Sequence, residues 1–367
     1  MIKLIHSFKM NLKFLAFLFI ISLALISCQL KSESKNNTTS REFTSVKIKE
    51  VIIEGSGIRA IEAVKDSSLF YATSDGYLGL ILPNLNNTKD KKVFFDTIVP
   101  HFRAIASNTK NIFMLSVGNP ALLYKYDEGE LEIVYTEKHD KVFYDAMAFF
   151  DEQNGIAMGD PTDDCLSIIT TKDGGNTWQK TPCENLPKIK DGEAAFAASN
   201  SNIATYKDNA WLVTGRKHAR VFHSADMGLT WNVYDTPIVQ GKEMTGIYSV
   251  DFFDSENGII FGGNWNDKAN NKSNKATTKD GGKTWKLIAD GKEPGYKSCV
   301  QYVPNTNGKE LFAVGTTGVS FSNDSGNSWR KVSDSAYYTI RFVNKNFAWL
   351  AGNQKIGKMV LNQSSKE

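Results

Sequence analysis

The chain has 367 residues, 41% hydrophobic and 23% charged, with 43 basic and 40 acidic side chains for a formal net charge of +3. Three of the lysines, Lys3, Lys9 and Lys13, sit in one N-terminal stretch, so the remainder is close to neutral, which excludes the basic field that non-specific nucleic-acid binding requires. Four cysteines and five histidines fall in no zinc-ligand spacing and no glycine-rich nucleotide loop is present, so neither a metal, a cofactor nor a nucleic-acid partner is expected.

Residues 1–27 combine those lysines with an apolar run from Phe14 to Ile26 and end in Leu25-Ile26-Ser27-Cys28. That pattern reads as a secretion signal and resembles a bacterial lipobox, with Cys28 as the acylated first residue of the mature chain. The competing reading, an uncleaved membrane anchor, suits a longer run. Residues 28–42 are polar and read as a flexible tether from the lipid to the domain. The expected location is the bacterial cell envelope, lipid-anchored, periplasmic or outer-membrane associated, with the bilayer contacted through Cys28.

From there the sequence repeats. A first unit holds Arg59 to Val64, Leu69 to Thr73 and Leu80-Ile81. A second holds Phe102 to Ala106, Ile112 to Ser116, Leu122 to Tyr126 and Leu131 to Val134. Four further units open on Asp145 to Phe150, Ala194 to Ser199, Gly246 to Phe253 and Ser298 to Val303. A last one runs from Tyr338 through Phe347–Gly352 to Leu361 and lacks an outer strand. Val46 to Ile53, ahead of the first unit, alternates enough to supply it.

Four of the units carry one short pattern: Thr171-x-Asp173-x-Gly175-x-Thr177-Trp178, Ser224-x-Asp226-x-Gly228-x-Thr230-Trp231, Thr278-x-Asp280-x-Gly282-x-Thr284-Trp285 and Ser322-x-Asp324-x-Gly326-x-Ser328-Trp329. The aspartates are 53, 54 and 44 residues apart, the period of a repeat fold whose units cannot stand alone. In each copy Asp can accept backbone N–H bonds across a tight turn, Gly supplies a dihedral other residues resist, the hydroxyl ties the turn to its exit strand, and Trp packs beneath it. Cys165 and Cys183 lie nine residues either side of Gly174, opposite each other in a regular hairpin. Export would permit a disulfide there, while Pro182 could equally swing Cys183 out of register.

The four elements resemble the Asp-box, or BNR repeat, of sialidase-like propellers and of the photosystem II stability and assembly factor family with its bacterial relatives. With the repeat count, the resemblance implies an all-β, seven-bladed β-propeller over residues 43–364, with four-stranded antiparallel blades and a ring closed by the N-terminal strand. For the assembly-factor family it implies a non-catalytic platform that helps membrane complexes assemble through an arginine-rich face.

Propeller sites gather at one mouth of the central channel, on loops flanking the innermost strands. The candidates there are Arg103, Asp145, Asp160, Glu193 and Arg216, then His218, Arg220, Tyr248, Trp265 and Arg341, with Arg59, Asn264, Asp267 and Lys297 at equivalent positions. Guanidinium forks suit an acidic chain end or a sugar acid, and Trp265 opens the longest polar insertion, where it could cap the mouth or pack back on its blade. For any one of these residues a structural salt bridge is the plainer role. A sialidase-like enzyme would need three clustered arginines, a Tyr nucleophile supported by Glu, and an Asp; no Arg-Ile-Pro element occurs and no residue presents itself as nucleophile, so none is assigned as catalytic. A glycosidase would need two carboxylates at a set separation, and Asp160 with Glu193 is the pair to test. The expected function is an extracytoplasmic interaction or assembly platform for a membrane or cell-envelope protein; the alternative is a glycan-binding protein or glycoside hydrolase.

Overall fold

The structure is a computed structural model that describes residues 41–86 and 91–361. The signal segment, Cys28 and nearly all of the tether lie outside the described residues. Arg41, at the tether's expected end, is fixed to the domain: its backbone N–H and guanidinium donate to the buried Glu310 carboxylate at 2.6–2.9 Å.

Short runs of β-branched and aromatic residues broken by tight turns leave little for helices. Among the described residues the regular elements are strands and two single-turn helices, Lys65–Ser67 and Cys183–Asn185. Four sheets take the expected four-stranded antiparallel form. Their first strands are His101–Ser107, Tyr144–Phe149, Ile203–Tyr206 and Cys299–Tyr302.

The expectation of seven separate four-stranded blades closed into a ring is corrected. Hydrogen bonding forms six sheets, four of four strands, one of six and one of seven, and none closes on itself. The cause of the seven-stranded sheet is one 17-residue strand, Lys47–Ala63. Its first half pairs antiparallel with Asn353–Val360, Ile48 opposite Met359; after a register break between Ile52 and Gly57, its second half pairs with Leu69–Thr73. A strand that serves two ladders fuses the last repeat to the first. The six-stranded sheet arises where Glu193–Ala194 and Gly215–Arg216 add to Thr245–Phe252, at a point where Gly215 and Gly246 face each other without side chains.

What passes from sheet to sheet is packing. Phe113 and Leu115 meet Met147, Ala157 and Ile169; Ile156 and Met158 meet Leu212 and Phe222; Trp211 and Val221 meet Ile247 and Ile260. Phe261 meets Val300, and Val314 meets Ile340 and Leu350. The long strand bends so that Ile58 and Ile61 face Trp349 and Ile356 across its own sheet. Each large apolar side chain buried this way is worth roughly 1.5–3 kcal/mol, and the first strands touch in chain order until Thr339–Asn344 meets Lys47–Ala63.

The four repeated turns share one hydrogen-bond set. In the second, Ser224 Oγ donates to Asp226 Oδ1 at 2.7 Å and accepts from Gly228 N–H at 2.8 Å; Asp226 also accepts from Thr230 N–H (2.8 Å) and its hydroxyl (2.6 Å). The turns at Asp173, Asp280 and Asp324 reproduce it. Trp231, Trp285 and Trp329 donate Nε1–H to the glycine carbonyl of their own turn, whereas Trp178 has no such partner and instead packs edge-on against Phe113 and Phe149. Gly175 has φ +85, and a Cβ there would lie 2.3 Å from the Phe113 ring of the preceding sheet, so the turn both needs glycine and presses on its neighbour. Trp211 reaches forward in the same manner and donates to Gly281 O at 2.8 Å. Beside the first turn, Cys165 and Cys183 are disulfide-bonded with Cα atoms 5.6 Å apart.

One stretch departs from the repeat. Ala194 to Ser199 reads as a first strand, yet the strand that pairs with Asn209–Val213 is Ile203–Tyr206, and residues 195–202 instead cross the centre where first strands converge. Asn200 donates to Ile105 O and accepts from Met147 N–H; Ser199 Oγ donates to Ser298 O; Thr339 Oγ1 donates to Ser199 O; and Ser201 Oγ donates to Ser249 Oγ. Small polar residues can satisfy five walls at once, which an apolar strand cannot.

Asp226→Ala removes the acceptor from four donors, Ser224 Oγ, Leu229 N–H, Thr230 N–H and Thr230 Oγ1, and is expected to lower unfolding free energy by about 1–3 kcal/mol in urea denaturation. Partial burial alone would raise the four turn carboxyls, but the hydrogen bonds from the following Thr or Ser outweigh it and hold each below the ordinary 3.8. A depressed carboxyl contributes stability that is complete above 3.8 and lost as pH falls through lower values, so the urea midpoint should decline on acidification from about pH 5 to pH 3, less steeply in Asp226→Ala.

Candidate functional site

The crossing segment divides the central space. On one side, Ala197 and Ala198 form the floor of a cavity of about 180 Å³ walled by Phe196, Tyr248, Trp265, Tyr296 and Tyr338, with Arg59 and Arg103 at its edge. Three walls come from strand entries: Tyr248 lies in the first half of Thr245–Phe252, Tyr296 precedes Cys299–Tyr302, and Tyr338 precedes Thr339–Asn344; Phe196 belongs to the crossing segment and Trp265 follows Gly258–Asn264. Phe196 and Tyr248 stack face to face at 3.9 Å, possible because a Cβ on Gly215 would come within 2.3 Å of the Phe196 ring. Tyr296 meets Tyr248 and Trp265 edge-on at 4.7 and 5.4 Å. Trp265 N–H donates to Met244 O at 3.0 Å, which seats the polar insertion at the mouth, and Lys268 Nζ lies 4.1 Å from the indole.

The Arg59 guanidinium carbon sits 4.0 Å from the centre of the Tyr338 ring, and Arg103 donates to His101 Nε2 (2.7 Å) and Ala197 O (2.9 Å). Among the described residues neither guanidinium is ion-paired with an acid. Burial, then the charges of Arg103 and Arg59, push His101 down to about 4, so it is neutral and adds no charge. Burial and Arg59 push Arg103 down to about 10, still charged at neutral pH.

The expected acids lie deeper or elsewhere. Glu193 is saturated: Arg220 grips it through Nε (3.0 Å) and Nη2 (2.5 Å), Thr214 Oγ1 donates at 2.6 Å and Lys190 N–H at 2.9 Å. Asp160 does not pair with Glu193 but accepts from Ala195 N–H at 2.8 Å and from Arg216 at 3.4 Å. Its carboxyl neighbour is Asp145, which is fully buried with no described donor to either oxygen; burial and then Asp160 drive Asp145 well above its ordinary value. Arg216, at φ 67, holds a left-handed backbone rare for its type and stays partly exposed beside Asp160.

Other candidates also stand outside this cavity. Arg341 lies beyond the crossing segment, donating to Ser199 O and Asn200 O from a second cavity of about 240 Å³ that also holds Glu62 and Asp251. His218 lines neither cavity. Asp267 accepts within its own loop from Asn270, and Lys297 is buried with Nζ on Gly318 O, its pKa pushed down to about 7 by burial. A groove of about 1020 Å³ runs along the rim between the first two repeated turns, whose Asp173 and Asp226 are committed to those turns. No group of three or more His, Cys, Asp or Glu side chains converges among the described residues.

Sequence reasoning missed Phe196, Tyr296 and Tyr338 as a set. The signal was present: an aromatic residue stands at or near the entry of the first strand in successive units, at Phe102, Phe143, Tyr248, Tyr296 and Tyr337-Tyr338. The strand-pattern reading singled out Tyr248 alone among them as a mouth residue, and only the central crossing shows which of them face a cavity.

No family model matches the chain, and no curated protein does. Solved structures do, and they define the class as a β-propeller fold. YCF48 bound to D1 peptide superposes with TM-score 0.62 at 12% identity, covering 86% of this chain and 95% of that one. YCF48 from Cyanidioschyzon merolae gives 0.57 at 12%, over 87% and 99%. A catalytically inactive virginiamycin B lyase from Staphylococcus aureus with quinupristin gives 0.63 at 11%, over 87% and 100%. Identities this low show the fold alone.

Arg220→Met strands the buried Glu193 carboxylate and is expected to cost about 3–5 kcal/mol in urea unfolding. Arg216→Gln, at an ion pair with an exposed arginine, is expected to cost under about 1 kcal/mol.

Proposed function

We propose that this chain is a non-catalytic interaction module of the cell envelope, tethered to a bilayer through acylated Cys28, whose channel mouth receives a segment of a membrane or envelope protein. The observation that carries the reading is the mouth cavity itself: five aromatic rings and two guanidiniums that no described acid neutralises, presented at a strand-built rim. Rings and arginines supply most binding energy at protein interfaces. A structure of the same fold was solved with a peptide, which supports a peptide-receiving role for this one.

The glycan reading draws on Trp265 and its neighbouring rings. Against hydrolysis stands the commitment of the carboxylates: Glu193 is held by Arg220, and Asp145 is sealed from solvent.

The test is capture from detergent-solubilised membranes by the lipidated protein, paired with a glycosidase and sialidase substrate screen. One membrane protein should be enriched by wild type and lost, by about tenfold or more, with Arg59→Gln/Arg103→Gln. Cys28→Ala should move the protein to the soluble fraction. Cleavage of a glycan with no membrane protein recovered would overturn the proposal.

A further inference from the structure

We infer that the mouth cavity recognises a carboxylate borne on an aromatic residue or ring, supplied either by the C-terminal aromatic residue of a polypeptide or by a free aryl acid. The inference rests on the interaction reading above and says what the mouth selects.

The walls come first. Phe196 on Tyr248, Tyr296 edge-on to both Tyr248 and Trp265, and Tyr338 under Arg59 form a slot whose surfaces are ring faces and ring edges. Such surfaces prefer another flat ring in stacked or edge contact. A cage of aromatic rings by itself suits a cation. Here two guanidiniums occupy the edge and repel one, and their mutual proximity contributes to the lowering at Arg103. A cation is therefore excluded and an anion is drawn to them.

The guanidiniums also select the shape of the anion. Arg103 spends Nε and one Nη1 donor on His101 and Ala197 O, which locks its plane. Arg59 is held with its guanidinium carbon 4.0 Å from the Tyr338 ring centre, which fixes where its charge sits. Fixed planar forks match a planar carboxylate. A neutral sugar finds few partners in this lining: the Ser298 hydroxyl is already donating to Tyr338 O at 2.7 Å and the Tyr248 hydroxyl to Met244 O at 3.1 Å. The volume, about 180 Å³, equals roughly six waters' share of the liquid. That is room for one ring and its carboxylate, so the remainder of a larger ligand lies outside.

Full-length protein is titrated by calorimetry and intrinsic fluorescence with N-acetyl-phenylalanine, N-acetyl-phenylalanine amide, and an octapeptide ending in phenylalanine as free acid or amide. The free acids should bind about tenfold or more tighter than their amides. Arg59→Gln and Arg103→Gln should each bring the acid and its amide to near-equal affinity, and Arg103→Lys should retain part of the preference. Arg103 also anchors Ala197, so thermal melts accompany every variant; Arg59→Gln touches only a ring and keeps the test valid if Arg103→Gln unfolds. Binding by the free acid alone, with no peptide binding, assigns the small-molecule source, and binding by both assigns the chain terminus. Equal binding of acid and amide, or binding of neither acid, overturns the inference. If that happens while membrane-protein capture persists, the interaction reading survives without it; if acids bind but nothing is captured, the interaction reading falls and this site remains.

Discussion

The repeated aspartate turn is the constraint on which the remainder depends. A turn that tight leaves several N–H groups without ladder partners, and leaving such groups buried and unmatched costs about as much as the hydrogen bond forgone. One carboxylate and one hydroxyl satisfy them in all four copies. The glycine that permits the turn also lets it press on the sheet before it, as Gly175 does on Phe113 and Gly282 on Trp211. A local device thereby sets a spacing between sheets, and side-chain clusters between them can repeat without a strand ladder crossing over.

That arrangement leaves a central space which must be filled, lined or plugged. Here a polar crossing segment takes it, bonded to first strands on several sides. The consequence is two cavities of different character. One is aromatic with arginines at its edge. The other is polar, with Asp251 pushed up to about 7 and Glu62 raised, both mainly by burial, and Arg341 spent on carbonyls. Charge at the mouth is thus set by which side of the segment each residue falls on rather than by its place in a repeat.

Among the acidic candidates, burial sorted structure from chemistry. Glu193 and Asp160 are both near the mouth in sequence terms, yet the first is a fully enclosed partner of Arg220 and the second a cap on the crossing segment's start at Ala195. The commitment of both to structural partners is what directs the reading toward binding.

The sequence alone determined an all-β chain, the four turns with their hydrogen-bonding logic, and the pairing of the segment around Ile48 with that around Val360. These follow from local chemistry repeated at a fixed interval, which periodicity exposes. Tertiary structure decided three further matters: that Lys47–Ala63 serves two ladders and merges them into one sheet, that residues 195–202 leave the strand pattern to cross the centre, and that Arg341 lies on the far side of that crossing. Each turns on contacts between residues in different repeats, such as Asn200 with Ile105 or Arg341 with Ser199, and no pattern within a single repeat encodes them.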